Sequence, residues 1–454
     1  MMSSLNTIRP ELLFLSQEQA AQLMPYFWVF GGSVLTIVLS VLKSAQKKWA
    51  VFLVALATVL AGTWSAYDLL GSTAVTAFNG MMALDPYTHF FNMIFLVAGG
   101  FTLLSSFRYL DRENLQHPEY YILLLLSAFG MMVMVSSLDL IVLFIALELM
   151  SLSVYALVGF RRADRRSNEA AMKYFILGAA ASAILLYGAA LVYGATASLN
   201  IQDILNTLRQ NPQVMTPTFV LGAWLVILGF LFKVASVPFH MWMPDVYEGA
   251  PTPVTGFMTT GLKAAAFATL VRVLMGMGYG KDLAEVAQRN IHHILWVCAV
   301  LTMVVGNVVA LTQVNLKRML AYSSIAHTGY LLVGLLVAPA SPQGYAPVVL
   351  YLVAYVIMNL GAFAVLTVLG TRNDYGLNLQ DLSGLSQRHP WLAFAMAVFF
   401  FSMAGIPPTA GFAAKYLLFY SAIQGGEISL VVISVLCSAI SVYYYLRVLV
   451  YMYM

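Results

Sequence analysis

Seven ionisable side chains stand inside runs of apolar residues: Asp139, Glu148, Lys233, Lys263, Arg272, His327 and Lys415. At the centre of a helix in lipid such a group costs at least about 2.5–3.5 kcal/mol on insertion scales, so the default reading is a working residue. Glu148 has Ser151 three residues on, on the same helix face. Asp139 lies nine residues before Glu148, half a turn out of phase and near a helix end, and reads as a solvated N-cap. Lys233 comes five residues before Pro238, which removes a donor and frees backbone groups that need water or protein partners. Lys415 repeats the theme four residues after Gly411. Lys263 is ten residues past Pro253, roughly 15 Å into its helix and too deep to snorkel comfortably. Arg272 falls on the opposite face near the far interface and reads as a structural anchor, as do Lys317 and Arg318 at a loop edge. His327 is mid-span, where a lone histidine serves a core as often as a reaction.

A row of Glu148, Lys233, Lys263, His327 and Lys415 suits protons better than any larger cargo. Burial disfavours the charged form of lysine and brings it within reach of proton exchange near neutral pH. A carboxylate that moves toward Lys233 favours the charged form again, which makes a switch. Sodium binding would ask for several oxygen ligands around one point, and Glu148 is the one carboxylate at mid-span. His240, Asp245 and Glu248 match no zinc spacing, so the segment from His240 to Pro253 reads as an ordered crossing rather than a metal site.

The elements that must position these groups are membrane helices. Of 454 residues 61% are apolar and 9% charged, against about 25% charged in soluble domains. That excludes an ordinary soluble enzyme, a nucleic-acid binder and a disordered chain. It also excludes a transmembrane barrel, whose strands would alternate polar and apolar residues. The expected class is an all-α polytopic membrane protein with spans near 25–42, 49–67, 88–107, 119–137, 139–159, 173–195, 217–236, 253–276, 292–312, 318–338, 345–369, 391–421 and 429–452, thirteen in all. The segment from Gly405 to Gly411 divides the twelfth into two half-helices, and Val237-Pro238 ends the seventh. Neither a dinucleotide nor a nucleotide motif is present, and Cys298 and Cys437 cannot build a thiolate cluster. No cofactor site and no metal site are expected in the chain, and catalysis with a bulky cofactor would have to happen in a partner subunit.

Outside the spans, one side of the membrane holds four basic residues, Arg9, Arg209, Lys281 and Arg289, and the other holds fifteen, including Arg161, Arg162, Arg165 and Arg166. The asymmetry places the N-terminus outside, periplasmic in a bacterium, and the 161–173 loop in the cytoplasm. Expected domains are three N-terminal helices in 1–118, a five-helix unit in 119–276 and a second in 292–454. An odd helix number inverts the second unit relative to the first, the inverted-repeat plan of transporters. The spacing from Glu148 to Lys233 nearly equals that from His327 to Lys415, each joining the second helix of a unit to its broken fourth.

The stretch Phe232-Lys233-x-x-Ser236-x-Pro238-Phe239-His240-x-Trp242-x-Pro244-Asp245-Val246-Tyr247-Glu248-Gly249-Ala250-Pro251-x-Pro253-Val254 resembles the subunit N family, the antiporter-like membrane subunits of proton-pumping NADH:quinone oxidoreductase, respiratory complex I. Similar to it as well are Ala146 to Ser153, Asn315 to His327, and Ala404-Gly405-Ile406-Pro407-Pro408-Thr409-Ala410-Gly411-Phe412-x-x-Lys415. The Val-Tyr-x-Gly-Ala-Pro wording differs from that of the sister subunits L and M and of multisubunit sodium/proton antiporters.

By that resemblance Glu148 is the glutamate of the fifth helix, Lys233 the lysine of broken helix seven, Lys263 the connecting lysine of helix eight and Lys415 the terminal lysine of broken helix twelve. Lys317 and His327 match positions in the connecting tenth helix. The resemblance implies a proton-translocating subunit of the bacterial inner membrane beside the M and small K-type subunits, with NAD, FMN, iron–sulfur clusters and quinone held by partners. The family usually has a fourteenth helix, whereas this sequence stops at Met454 after the thirteenth. The expectation is an incomplete sequence or a thirteen-span lineage with a cytoplasmic C-terminus. The competing readings are a cation/proton antiporter and a scaffold that has lost transport.

Overall fold

The computed structural model describes residues 15–41, 47–280, 285–374 and 376–454. Arg9 and Lys281, counted on the outer side above, lie outside the described residues, as does the start of the chain. The order is α1 (Gln17–Gln22), α2 (Met24–Val41), α3 (Lys47–Asp68), a hairpin of β1 (Val75–Ala77) and β2 (Met82–Leu84), α4 (Pro86–Glu113), α5 (Pro118–Ser136), α6 (Leu140–Val158), α7 (Arg165–Thr196) and α8 (Ile201–Gln210). Then come α9 (Pro217–Lys233), α10 (Trp242–Gly249), α11 (Thr252–Phe257), a π-helical turn at Met258–Leu262, and α12 (Lys263–Gly276). The rest is α13 (Glu285–Ala310), α14 (Leu316–Val337), α15 (Ala346–Leu369), α16 (Leu385–Arg388), α17 (Pro390–Ala404), α18 (Ala410–Gln424) and α19 (Ile428–Tyr453).

Among the described residues eleven helices are long and apolar enough to cross a membrane, and α9 and α17 are shorter apolar helices that end at the two breaks. Each of the thirteen expected spans corresponds to one of these, so the chain is an all-α polytopic membrane protein. Prolines and caps set the starts. Pro86, Pro118, Pro217 and Pro390 occupy first turns, where a missing N–H costs nothing. Asp139 caps α6, accepting from the Ile141 and Val142 amides at 2.8 and 3.1 Å.

Three departures from the expected layout stand out. Helix α7 starts eight residues early, at Arg165, because Asp164 caps it and its charged first turns are good helix formers that can stand in water. Between α7 and α9 the chain folds into α8, whose Ile201, Ile204 and Leu208 bury one face of an otherwise polar helix. The small hairpin pairs Val75 with Leu84 and Ala77 with Met82, turning through Phe78, Asn79 and Gly80 at positive φ.

Glycines bring the helices together. A Cβ on Gly188 of α7 would lie 2.7 Å from the Gly222 carbonyl of α9, and one on Gly222 2.9 Å from the Gly188 carbonyl. Such small-residue contacts replace the hydrophobic effect between helices in lipid. The same device joins α5 to α6 at Gly130, against the Ala146 carbonyl and Met150 amide, and α13 to α14 at Gly306, against the Tyr322 carbonyl and Ala326 amide.

Candidate functional site

Helix α9 stops at Lys233, and the chain runs irregularly through Pro238 before α10 begins. Irregular backbone at membrane depth must find partners inside the protein, and here it does. Thr328 of α14 donates to the Val234 carbonyl at 2.8 Å, the Val237 amide donates to Thr302 Oγ1 at 2.9 Å, and the Trp242 indole donates to the Phe232 carbonyl at 3.2 Å. Lys233, 8% exposed, turns to α6 and donates to Ser151 Oγ at 2.8 Å and to the Tyr155 hydroxyl at 3.4 Å. Ser151 can accept because its own proton goes to the Leu147 carbonyl at 2.6 Å. Glu148 sits one turn earlier on α6, within electrostatic reach of Lys233, and its Oε1 has no hydrogen-bond partner among the described residues. A carboxylate and an ammonium thus share a small region without touching.

Lys263 follows the π-helical turn, a local widening that re-aims the residues after it. It is 2% exposed and crosses to α14, donating to the Ser324 carbonyl at 2.7 Å, to Ser324 Oγ, and to Thr328 Oγ1 at 3.0 Å. Tyr355 donates to Ser324 Oγ at 2.7 Å. One turn further along α14, His327 is held between tyrosine hydroxyls, Nδ1 to Tyr351 at 2.6 Å and Nε2 to Tyr445 at 3.2 Å. Tyr445 in turn contacts Ser323 Oγ. His327 lies within electrostatic reach of both Lys263 and Lys415.

Lys415 projects from α18 back onto the end of α17, donating to the Met403 and Ala404 carbonyls at 2.9 and 3.1 Å and to Ser438 Oγ of α19 at 3.0 Å. The last carbonyls of a helix carry partial negative charge, so the ammonium caps α17. Only glycine permits this fold-back at position 411, since a Cβ there would lie 1.8 Å from the Ser402 carbonyl. The Gly411 amide donates to Ser402 Oγ at 3.0 Å.

Other charged groups do structural work. Arg272 holds Asp85 at 2.6 Å and Thr88 at 2.7 Å, tying α12 to the start of α4. Burial pushes the Asp85 carboxyl up, but Arg272 holds it below its ordinary value. Lys317 corrects the interface-anchor reading: it is 1% exposed and pairs with Asp374 at 3.3 Å, because a loop residue far along the chain supplies the countercharge. Asp374 also receives Arg161 at 2.5 Å and the Tyr109 hydroxyl at 3.2 Å. Asp245 and Glu248 are engaged by Arg318 at 2.8 and 3.0 Å, and Asp245 also by Lys173 at 2.9 Å.

Sequence reasoning missed the hydroxyl partners Tyr155, Ser324, Thr328, Tyr351, Tyr355, Tyr445 and Ser438. Their signal was present as hydroxyls inside apolar runs, among them Ser323-Ser324 and Tyr443-Tyr444-Tyr445.

Residues 137–441 match the family described as NADH:quinone oxidoreductase/Mrp antiporter, TM. The NADH-quinone oxidoreductase subunit N of Trichlorobacter lovleyi is 46% identical over 93% of this chain and 85% of its own length. A chain of respiratory complex I from Thermus thermophilus, solved with bound aureothin, superposes with a TM-score of 0.80 at 36% identity, covering 95% of this chain and 90% of that one. A chain of the Mrp complex from a Dietzia species has the same fold, with a TM-score of 0.82 at 22% identity over 97% of this chain and 81% of that one. Identity on this scale runs through both helix breaks and nearly the whole length, and by it the chain belongs to the subunit N family of NADH:quinone oxidoreductase, among the antiporter-like membrane subunits.

Proposed function

We propose that this chain carries protons across the membrane within a complex I-type NADH:quinone oxidoreductase, driven by redox chemistry in other subunits. The observation that carries the reading is the buried bridge from Lys263 of α12 to Ser324 and Thr328 of α14. It joins the Lys233 region to the one holding His327 and Lys415, so that groups able to pass protons follow one another through the apolar interior. In this scheme Glu148 and Lys233 load the axis from the cytoplasmic side. Lys263 and His327 relay through the hydroxyls around them, and Lys415 releases outward. Glu148 governs the load by its distance from Lys233. Lys317, paired with Asp374, is a candidate member at the edge of the axis.

The helices divide in this proposal into 1–118, 119–276 and 292–454, the last two being inverted five-helix units. The glycine contacts support the division and shift its register. Gly130 meets Ala146 and Met150 as Gly306 meets Tyr322 and Ala326, which aligns Ser151 with His327 and Glu148 with Ser324 rather than Glu148 with His327. The chain contributes no redox group of its own in this reading. NAD, FMN, iron–sulfur clusters and quinone reside in partner subunits, and M and small K-type subunits flank it in the bacterial inner membrane, with the N-terminus periplasmic.

The test is Lys233→Ala in the assembled complex. Proton pumping and quinone reduction should fall together, on the order of a hundredfold if Lys233 is an obligate proton carrier. Unchanged turnover with unchanged protons per NADH would reject the proposal.

A further inference from the structure

On α4, α5 and the part of α12 beyond Lys263, three helices that pack against one another, stands a second set of buried polar groups that the proposed axis does not use. His89 of α4 is fully buried, and neither of its ring nitrogens has a hydrogen-bond partner among the described residues. Asn92, one turn on, gives its amide to the Tyr26 hydroxyl at 3.2 Å but leaves Oδ1 unpaired. On α12 the Thr269 hydroxyl and the Arg272 Nε are unpaired, and on α5 the Ser127 hydroxyl. Threonines 255, 259 and 260, just upstream of α12, behave differently, each donating to a carbonyl four residues back.

Counted along their helices, these groups step inward from the outer ends of α4, α5 and α12. Asp85, Thr88, His89 and Asn92 share one face of α4 by the three- and four-residue spacing of a helix. Thr269 is one turn inward of Arg272. Ser127 lies nine residues inward of Ser136, and Lys263 nine inward of Arg272, each about 13.5 Å deep. At the top, a cavity of about 400 Å³ has Arg272 and Tyr345 in its walls, and the Tyr345 hydroxyl is also unpaired. A buried polar atom left without a partner costs about 1–3 kcal/mol, and in a membrane protein such groups persist where they line water. A buried water typically makes about three hydrogen bonds, which a file of single orphan atoms on three adjoining helices can supply.

We propose that these groups line a water-filled branch running from the outer cavity, past the Arg272–Asp85 pair, to the depth of Lys263, and that His89 is its proton-exchanging residue. The inference rests on the proton-carrying function and on the orientation proposed above. A neutral imidazole has one acceptor and one donor nitrogen. His89 accepts a proton from water on the first and returns the proton of the second to water on the other side. No bond other than N–H and O–H is made or broken. Arg272, its charge matched by Asp85, marks the mouth of the branch.

The experiment uses oriented membrane vesicles containing the assembled complex, with Cys298 and Cys437 replaced by alanine. Asn92→Cys and Thr269→Cys should react with a membrane-impermeant thiosulfonate added on the outer side, and Leu270→Cys, beside Thr269 on the buried surface, should not. Absence of reaction at both 92 and 269 overturns the branch. His89→Leu should lower the protons moved per NADH. His89→Gln, which can hold the same waters but cannot carry a proton, should lower them equally. A wild-type ratio in His89→Gln overturns the proton role. Lys233→Ala measured alongside separates the two ideas: if it alone lowers pumping, this inference falls and the proposed function stands.

Discussion

Lys233 and Lys415 each sit beside a broken helix, yet they are held in opposite ways. Lys233 is bound by the side chains of another helix, Ser151 and Tyr155, with Glu148 close by. Lys415 is bound mainly by backbone, the Met403 and Ala404 carbonyls at the end of α17, together with the Ser438 hydroxyl. Hydroxyls rotate and carboxylates swing, whereas a helix terminus keeps its dipole wherever the helix goes. The first lysine therefore has a changeable environment and suits a loading point. The second has a fixed one, and it stabilises its break as well as ending the row.

The tie between the two regions should give the largest effect. Asp374 joins Arg161 at the end of α6 to Lys317 at the start of α14, with side-chain exposures of 6%, 6% and 1%. Asp374→Asn leaves two buried cations facing each other and should destabilise the subunit by about 3–5 kcal/mol, read as a lower thermal transition of the solubilised complex. The same pair predicts acid sensitivity. Burial raises the Asp374 carboxyl, but Lys317 and Arg161 outweigh it and hold it below its ordinary value. Its contribution is present above about pH 4 and is lost as pH falls through the lowered value. Asp374→Asn should remove that part of the acid transition.

A smaller effect separates the lysines directly. Lys415→Ala uncaps two carbonyls and should cost about 1–3 kcal/mol, whereas the hydrogen-bond partners that Lys233→Ala leaves behind are hydroxyls, one of them already bonded to Leu147. Equal thermal transitions in the two variants would erase the distinction between a switched and a fixed lysine. Smallest is the exchange of single hydroxyls. Ser151→Ala and Ser438→Ala should each cost about 1 kcal/mol of stability. Only Ser151→Ala should alter the pH dependence of pumping, because it changes the partner that competes with Glu148 for Lys233.

Much of the site was legible in the sequence, since a charge in an apolar run needs no fold to stand out. Glu148 and Ser151 on one face, Asp139 as a cap and Arg272 as an anchor followed from helical spacing alone, and the breaks followed from Pro238 and the Gly405–Gly411 segment. Lys317 was misjudged because its position at a helix start looks like an interface, while Asp374 lies 57 residues on in a loop. The π-helical turn before Lys263 has no composition of its own, and α8 was too short and polar to register as a span.

By itself the sequence determined that this is a many-helix membrane protein, where its helices break and which few charges its interior must hold. Hydropathy and proline chemistry act locally along the chain, so no contact had to be known. Only the tertiary structure decided what each charge touches: Ser151 for Lys233, α14 for Lys263, a helix end for Lys415, Asp374 for Lys317. Hydrogen bonds reach about 3 Å, and which groups come that close depends on how glycine-lined helices from distant parts of the chain settle against one another.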